Sequence, residues 1–517
     1  MARDLRPVII GVGEASERID AADYQALSPV ALASQAAQAA LEDAGAAQPL
    51  SPHIDVIAAI RQFEVSGPNA KPPFGAADNF PRAVAARIGA DPARAILEPV
   101  GGQGPQHLVN EFAQAIGRGE MQMALLVGSE AISTVRHLTS KGETRDWSQS
   151  IGGQLEDRGY GMEGLLTADL ARHGARTPIS VYALCENARR GRLALGREAY
   201  ALQMGKLFSP FTRVAAGNPH AMSHDIYKAE ELATVTGPNR LTSDPFPRRM
   251  VARDQANQGA AVLITSATRA RELGVPEDRL VYLHGGADVK ERTVIERHDL
   301  SSSPAAVMAA KQALGLAGLA VEDIDLFDLY SCFPIAVFNV RDGLHLSAND
   351  LRPLTVTGGL PFFGGAGNNY SMHAIASMVR ALRSHPGDNG LVGANGGFLS
   401  KYSVGVYSTR PSNWTGFDSG ALQAEIDGWT APRLAEVPAL GVTARGIVDT
   451  YTIDYSAQPP RGIVVGRRVD GDARFVAMSD NPTIVQSMIE REPLWAQVSM
   501  AADDNGRCVL KSFTPAA

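Results

Sequence analysis

The strongest constraint on the fold is an order of predicted elements that occurs twice along the chain. In the first copy, a buried strand at 8–13 precedes an Ala-rich helix at 28–45, and a second buried strand follows at 54–60. In the second copy, a helix at 303–318 precedes a strand at 323–329. Both helices open with Ser-Pro and end at Gly, which is typical of a capped start and a defined stop.

The duplication continues in the second part of each copy. A Gly-rich run at 101–104 precedes a predicted helix and a strand at 123–128, and a run at 364–367 precedes a helix and a strand at 391–394. Two units of strand, helix, strand, loop, helix and strand predict an α/β protein with a doubly wound sheet in each half. A chance similarity between Ala-rich helices is the alternative.

Two further segments lie outside this duplication. Residues 133–250 are rich in Pro, Arg, Asn and His and weakly periodic, which predicts an insertion over one end of the sheets, where ligand-binding loops collect. Residues 418–517 contain short strands separated by turn residues, which predicts a small OB-like β-barrel. The expected domains are a first half at 1–132 and 251–266, the insertion at 133–250, a second half at 267–410, and the barrel.

Composition narrows the classes of function. The formal net charge of -7 argues against nucleic acid as the main partner, and nowhere do the 18 apolar residues of a membrane span run together. The N-terminus lacks the apolar run of a signal peptide. Cys185, Cys332 and Cys508 are far apart and match neither a disulfide framework nor a zinc site, so we expect a cytoplasmic protein without a metal.

Several short stretches form a specific combination: MALLVGSE at 123–130, FS at 208–209, VAAGNPHA at 214–221, DQANQGAAVL at 254–263, TGGL at 357–360 and GVY at 405–407. Together they resemble the thiolase family, in particular the sterol-carrier-protein branch and its bacterial, acetyl-CoA acetyltransferase-like relatives. The resemblance covers about residues 6–410 and implies the duplicated thiolase fold, with the barrel outside it. It also implies CoA or acyl-CoA as the ligand, with no covalently bound cofactor.

The resemblance places Gly101 where a thiolase carries its nucleophilic cysteine, at the start of a loop that reads Gly101-Gly102-Gln103-Gly104. Glycine offers no nucleophile, so an acyl-enzyme at this position is excluded. The helix start still offers backbone amides that can bind a carbonyl oxygen or an anion, which makes Gly101, Gly102 and Gly104 candidate ligand-binding residues. A purely structural turn that needs positive φ is the equal alternative.

The other catalytic loops also depart from the family. The third loop has Gly364 and Gly365 around the position of the general-base histidine, and Asn395 occupies the position of the acid/base cysteine. We keep both glycines as candidate ligand-binding residues. Cys332 lies in the second loop, close to Tyr330, at a position that is not the family's nucleophile, and we interpret it as a buried packing cysteine.

Polar residues after the third loop supply further candidates. Asn369 and His373 are four apart, so in a helix they share one face. Capping of that helix by Asn368 or Asn369 is the more ordinary interpretation. The candidate catalytic residues are Tyr330, Tyr370, His373 and Asn395.

Three functions stay open. The fold alone suggests an acyl-CoA acyltransferase with an altered mechanism, although standard thiolase activity is not expected. Thiolase-fold retro-aldolases resemble this chain in lacking the cysteine, in carrying Tyr at the position of Tyr330, and in using an OB-type partner domain. In such a carbon–carbon lyase, Tyr330, Tyr370 or His373 would supply the base and the amides at 101–104 the oxyanion site. The third function is non-catalytic binding of CoA or acyl-CoA.

The family's dimers form through the first-half sheet edge, and both a homodimer and a monomer stay open.

Overall fold

The computed structural model describes residues 4–162, 165–347 and 349–516. In chain order, the strands are β1 Pro7–Ser16, β2 Val56–Ile60, β3 Arg94–Glu98, β4 Met123–Ala131, β5 Glu156–Asp157, β6 Leu241–Ser243, β7 Phe246–Pro247, β8 Asn257–Ser266, β9 Val281–Lys290, β10 Leu326–Leu329, β11 Asn389–Gly396, β12 Lys401–Ser408, β13 Ala444–Asp454, β14 Arg461–Arg468, β15 Arg474–Ser479, β16 Gln497–Ala502 and β17 Cys508–Thr514. The helices are α1 Pro29–Asp43, α2 Phe80–Arg87, α3 Gly104–Gly117, α4 Ile132–Ser140, α5 Ala168–Arg172, α6 Pro178–Arg192, α7 Arg197–Gly217, α8 Ala229–Ala233, α9 Ala267–Glu272, α10 Pro304–Ala317, α11 Pro334–Gly343, α12 Tyr370–Ser384, α13 Gly420–Asp427 and α14 Pro482–Glu490.

The strand order confirms the predicted duplication. In the first half, β3, β2, β4, β8 and β1 are neighbours in that order, with β2 parallel to β3 and β4, and β8 antiparallel to β4 and β1. In the second half, β10, β11, β12 and β9 follow the same pattern, with β10 parallel to β11 and β12 antiparallel to both neighbours. Strands β2, β4, β8 and β1 therefore correspond to β10, β11, β12 and β9.

The two sheets meet at one edge and enclose a layer of helices. Strands β1 and β9 pair over two positions, Val8 with Tyr282 and Ile9 with Val281, which joins the halves into one ten-stranded order. Helices α3 and α12 lie against each other between the halves and contact strands of both. Helix α1 covers the outer face of the first half and α10 that of the second. The result is the layered α/β arrangement of a duplicated, doubly wound fold.

The predicted signals act as expected at the start of α1 and at the end of α10, whereas Ser303 makes no capping bond at the start of α10. The Ser28 hydroxyl accepts the Ala31 N–H at 3.2 Å, and Pro29 occupies the first turn of α1. Helix α10 ends at Gly318, whose φ of 68° is the left-handed conformation that favours glycine at a C-terminus. Helix α1 packs closely on β1, since a Cβ at Gly13 would lie 2.0 Å from the Ala36 carbonyl oxygen.

The insertion is more helical than its weak periodicity indicates. Helices α6 and α7 are its main elements, and α6 buries charged as well as apolar residues. The buried Arg189 donates to the Asp342 carboxylate at 2.8 Å and lies over the Phe338 ring at 3.8 Å. Because charged side chains share the buried face of α6, its sequence shows no clean apolar stripe.

The C-terminal segment forms the small β-barrel that the sequence predicts, and five strands close it. The order is β13, β14, β15, β17 and β16, and β16 returns to pair with β13. Strand β17 and helix α14 were not anticipated. The insertion strands β6 and β7 extend this sheet, because Ser243 pairs with Asp454 at the end of β13.

Among the described residues, no helix combines the length and apolarity needed to cross a membrane. Within the same residues, no group of three or more His, Cys, Asp or Glu side chains is arranged to hold a metal ion.

Candidate functional site

Four loops that the sequence analysis singles out as candidate ligand-binding loops meet around one pocket of about 480 Å³. The segments that reach it are Gly101 with Gly102 between β3 and α3, 330–333 between β10 and α11, 365–368 before α12, and 395–398 at the end of β11. Loops at the carboxyl ends of parallel strands are where α/β proteins place their ligands. The duplication thus brings equivalent loops of both halves to a single site.

The walls of this pocket are mainly apolar. The start of α6 contributes Ile179 and Tyr182, so the insertion closes one side. Other apolar lining residues are Met162, Leu165, Val251, Phe333, Leu360 and Phe398. A cavity of this size and character suits an acyl chain or another apolar group, with a few polar groups to orient it.

The structure divides the predicted site residues into two sets. Those that line the pocket are Tyr330, Asn395, Gly101, Gly102 and Gly365. Those outside its lining are Gly104, Gly364, Tyr370 and His373. Of the three candidate bases, Tyr330 therefore lines the pocket, whereas Tyr370 and His373 do not.

Tyr330 meets the Gly-rich loop at the centre of the pocket. A Cβ at Gly102 would lie 2.2 Å from Tyr330 Oη and 2.6 Å from the Asn395 carbonyl oxygen, so only glycine fits there. Burial raises the pKa of Tyr330 well above its ordinary value. The phenol is therefore protonated near neutral pH and acts as a hydrogen-bond donor, not as a base.

Among the glycine amides of the Gly-rich loop, that of Gly102 alone lacks an acceptor within the described chain. The Gly101 N–H donates to Asn368 Oδ1 at 3.1 Å, and Asn368 Nδ2 donates to the Arg61 carbonyl at 2.9 Å. The Gly102 N–H has no acceptor in the part of the chain that the structure describes. Gly102 is thus a pocket-lining glycine whose amide has no acceptor among the described residues.

The expected capping by Asn368 or Asn369 is wrong. Asn369 is the N-cap residue of α12, but its side chain makes no capping bond and donates instead to the Gly128 carbonyl at 2.8 Å. Asn368 is used to hold Gly101. The side-chain amides of Asn368 and Asn369 therefore connect the start of α12 to the first half. They are used for contacts between the halves and not for capping the helix.

Tyr370 is part of a buried network beneath the pocket. Its hydroxyl lies 2.5 Å from Thr357 Oγ1 and donates to Asp328 Oδ1 at 3.1 Å. Its ring meets that of Tyr330 edge-on, with centroids 5.5 Å apart. Tyr370 thus packs against the Tyr330 ring and does not itself line the pocket.

His373 faces away from the pocket. Helix α12 begins at Tyr370, which puts His373 in its first turn, and His373 Nδ1 lies 2.5 Å from Glu14 Oε1. Arg380 also pairs with Glu14. Although burial opposes it, the hydrogen bond and charge of His373 bring the pKa of Glu14 down to about 2. This buried ion-pair cluster fastens α12 to β1.

Cys332 and Tyr182 are the functional neighbours that sequence reasoning missed. Cys332 is buried, as predicted, but it also lines the pocket. The Tyr182 hydroxyl accepts the Asn395 Nδ2–H at 2.9 Å and the Leu399 N–H at 3.2 Å. Burial raises the pKa of the Cys332 thiol to about 12, despite a hydrogen bond from Tyr182. Tyr182 comes from the insertion, where no motif indicated it.

A basic cleft of about 430 Å³ adjoins the pocket. The pocket and the cleft share Val251, Ala252 and Asp254, and the cleft adds Arg248, Arg249 and Arg253. In the described chain none of these arginines has a carboxylate oxygen within 4 Å. Burial lowers the pKa of Arg253, and the neighbouring charges of Arg18 and Arg248 lower it further. The cleft therefore presents three arginines without carboxylate partners, beside Asp225 and Asp254, of which Asp254 pairs with Arg136.

Comparisons with known proteins agree with this architecture. The family model described as the additional C-terminal domain of thiolase-like protein type 1 matches residues 421–505. A monomeric SCP2-thiolase-like protein type 1 from Mycobacterium smegmatis is 42% identical, with a TM-score of 0.84, and the match covers 99% of this chain and 99% of that chain.

More distant structures share the fold. The Ltp2–ChsH2(DUF35) aldolase is 20% identical with a TM-score of 0.58, over 79% of this chain and 98% of that chain. Human mitochondrial 3-ketoacyl-CoA thiolase in complex with CoA is 19% identical with a TM-score of 0.53, over 79% and 99%. No curated protein matches the sequence significantly.

Proposed function

Because the chain belongs to the SCP2-thiolase-like proteins of type 1, we propose that it binds acyl-CoA thioesters without forming a covalent acyl-enzyme. The observation that carries this proposal is the convergence of four loops on an apolar pocket that meets a basic cleft. An acyl-CoA is apolar at its acyl end and carries phosphates at the other. The two surfaces suit those two ends.

The thioester would lie at the centre of the pocket. The free N–H of Gly102 and the Tyr330 hydroxyl are hydrogen-bond donors in the same place. Both can donate to a thioester oxygen, and Asn395 lines the same pocket. A solved thiolase relative holds CoA, which supports this assignment of ligand class.

Covalent chemistry has little support in the pocket. The proposal takes Gly101, Gly365 and Asn395 as occupants of the positions that carry Cys, His and Cys in standard thiolases. The remaining thiol, Cys332, has a pKa of about 12 because it is buried. A thiol in this state is a poor nucleophile, since the thiolate is the reactive form.

A carbon–carbon lyase is the second candidate, and the contact between Tyr330 and Gly102 favours it. In a retro-aldol cleavage, a base would take the proton of the β-hydroxyl, the Cα–Cβ bond would break, and the thioester oxygen would hold the resulting enolate charge. Gly102 and Tyr330 suit the last role. A base is harder to identify, because the pocket carboxylate of Asp254 is paired with Arg136. Binding is therefore the function that the geometry supports best.

The chain is proposed to be a monomer. The relative with 42% identity is described as monomeric. Strand β5 pairs with β3, so the edge of the first-half sheet is already partly covered. Size-exclusion chromatography with light scattering should give the mass of one chain, and a dimer mass at micromolar concentration would contradict this.

Calorimetric titration tests the function. CoA and a medium-chain acyl-CoA should bind, and replacing both Arg248 and Arg249 with Gln should weaken binding about tenfold, which corresponds to ~1.4 kcal/mol. Arg87→Gln, on the exposed end of α2, should change nothing. An acyl-pantetheine, which lacks the nucleotide, should bind both proteins equally. Equal loss for both ligands would show that the arginines do not contact the nucleotide.

A further inference from the structure

The pocket contains a turn in an unfavourable backbone conformation. Gly397, Phe398 and Leu399 have φ values of 59°, 56° and 64°, so three successive residues are left-handed. This conformation is costly for residues with a Cβ, and such stretches persist only where the surroundings hold them. Phe398 lines the pocket. The position of an apolar wall therefore depends on contacts outside the turn.

The buried side chain of Arg297 holds this turn in place. The Leu399 carbonyl accepts hydrogen bonds from the Arg297 guanidinium and from the Tyr402 hydroxyl. The side chain of Arg297 is 5% exposed, and its Nη1 lies 3.3 Å from Glu291 Oε2. The Glu291 N–H donates to the Ser400 carbonyl at 2.7 Å. Arg297 and Glu291 thus fix the chain just after Phe398.

The segment that carries Arg297 is held in turn by the C-terminal barrel. Arg474, on β15, is 6% exposed and donates to the carbonyls of Ile295 and His298 at 2.9 Å each and to that of Arg297. Within the described chain, it has no carboxylate within 4 Å. Its buried guanidinium is used on the backbone of the 295–298 segment.

The barrel reaches the same turn by a second route. Thr450 Oγ1, on β13, donates to the Leu184 carbonyl of α6 at 2.5 Å, and Asn187 of α6 donates to the Tyr451 carbonyl at 3.0 Å. Tyr182, on the same helix, accepts the Leu399 N–H. Contacts that originate in the barrel therefore hold both the N–H and the C=O of Leu399.

We propose that the C-terminal barrel is a positioning domain for the ligand pocket, which sets the place of Phe398 through Arg474 and Arg297 and so limits the acyl groups that fit. Arg474 is a positioning residue, since it touches no lining residue itself. The effect on acyl-group selectivity rests on the proposed function, that is, on acyl-CoA binding. The hydrogen-bonded connection between the barrel and the turn at 397–399 does not depend on that function.

Hydrogen exchange of the full chain tests the link without any ligand. In Arg474→Gln, the Leu399 amide should exchange at least tenfold faster than in the wild type. The change should be confined to the turn at 396–400 and the 295–298 segment. Tyr182→Phe removes the hydroxyl that accepts the Leu399 N–H, so its Leu399 exchange rate gives the largest increase to be expected. Arg467→Gln, a half-exposed arginine on the neighbouring strand β14, should leave the turn unchanged. Unchanged exchange of Leu399 in Arg474→Gln would overturn the proposal.

Selectivity for the acyl group provides the second readout. Arg474→Gln should alter the ratio of medium-chain to acetyl-CoA affinity at least threefold and leave CoA affinity unchanged. In a Phe398→Ala background, the same substitution should have no further effect on that ratio, because coupled residues are not additive. Additive effects would contradict the route through Phe398.

If Arg474→Gln does not fold, Arg474→Lys, which keeps a cation and one donor, should fold and show an intermediate exchange rate. A wild-type rate in it would count against the link. Absence of acyl-CoA binding by the wild type would refute the proposed function alone, since the exchange result decides the link.

Discussion

Glu130 is a buried carboxyl whose neutralisation should stabilise the protein in a pH-dependent way. It lies at the end of β4 and accepts the N–H of Phe63, a residue of the pocket wall, at 2.8 Å. Burial raises its pKa from 4.5 to about 8, and the neighbouring Glu64 adds to the rise. Glu130→Gln keeps the acceptor for Phe63 and removes the ionisation.

The magnitude follows from the two pKa values. Because the folded pKa is raised, the stability present below pH 4.5 is lost progressively as pH rises towards 8, where the unfolded chain has released a proton that the folded protein still binds. The loss is about 1.4 kcal/mol per pH unit. It amounts to about 1 kcal/mol at pH 5 and about 3 kcal/mol at pH 7. Glu130→Gln should recover these amounts.

Urea unfolding at pH 5, 7 and 8 measures the gain. The free energy of unfolding of Glu130→Gln should exceed that of the wild type by a margin that grows with pH. The control is Glu425→Gln, an exposed residue of α13, whose difference from the wild type should not vary with pH. A constant gain, or a loss at every pH, would refute the claim that Glu130 is held protonated by burial.

Two further predictions concern the pocket. Gly102→Ala should reduce acyl-CoA affinity at least tenfold, because its Cβ would overlap Tyr330 and the Asn395 carbonyl, whereas Gly104→Ala should bind normally, since the nearest atom to its Cβ would be 3.4 Å away. Equal effects in calorimetry would show that the clash does not govern binding. Cys332 should resist iodoacetamide at pH 8 and carry no acyl group after exposure to acetyl-CoA, because its pKa of about 12 leaves about one thiol in ten thousand ionised. A labelled Cys332 peptide in mass spectrometry would contradict this.

The sequence predicts the elements that local signals specify. Ser-Pro starts, Gly stops and buried apolar runs predicted α1, α10 and five strands of the two halves, β1, β2, β4, β10 and β11. These signals depend only on residues that are neighbours in the chain. The Gly-rich loops identified the pocket, since the duplication brings equivalent loops together. The barrel was predicted from its short strands, although β17 was missed.

The contacts that depend on distant residues could not be predicted. Asn368 resembles a helix cap in sequence, but it holds Gly101 from the other half. His373 is one turn from Tyr370, yet its partner Glu14 lies on β1, so the helix face that it occupies turns away from the ligand. Tyr182 enters the site from an insertion whose buried arginines hide its apolar pattern. In each case the deciding partner is more than 200 residues away.

The central claim is that one acyl-CoA lies across the apolar pocket and the basic cleft, and a crystal structure of the complex tests it most directly. We expect a thioester oxygen about 3 Å from the Gly102 nitrogen, an acyl chain beside Phe398, and phosphates at Arg248, Arg249 or Arg253. Density for the acyl-CoA elsewhere, or a covalent bond from the acyl group to Cys332, would contradict it.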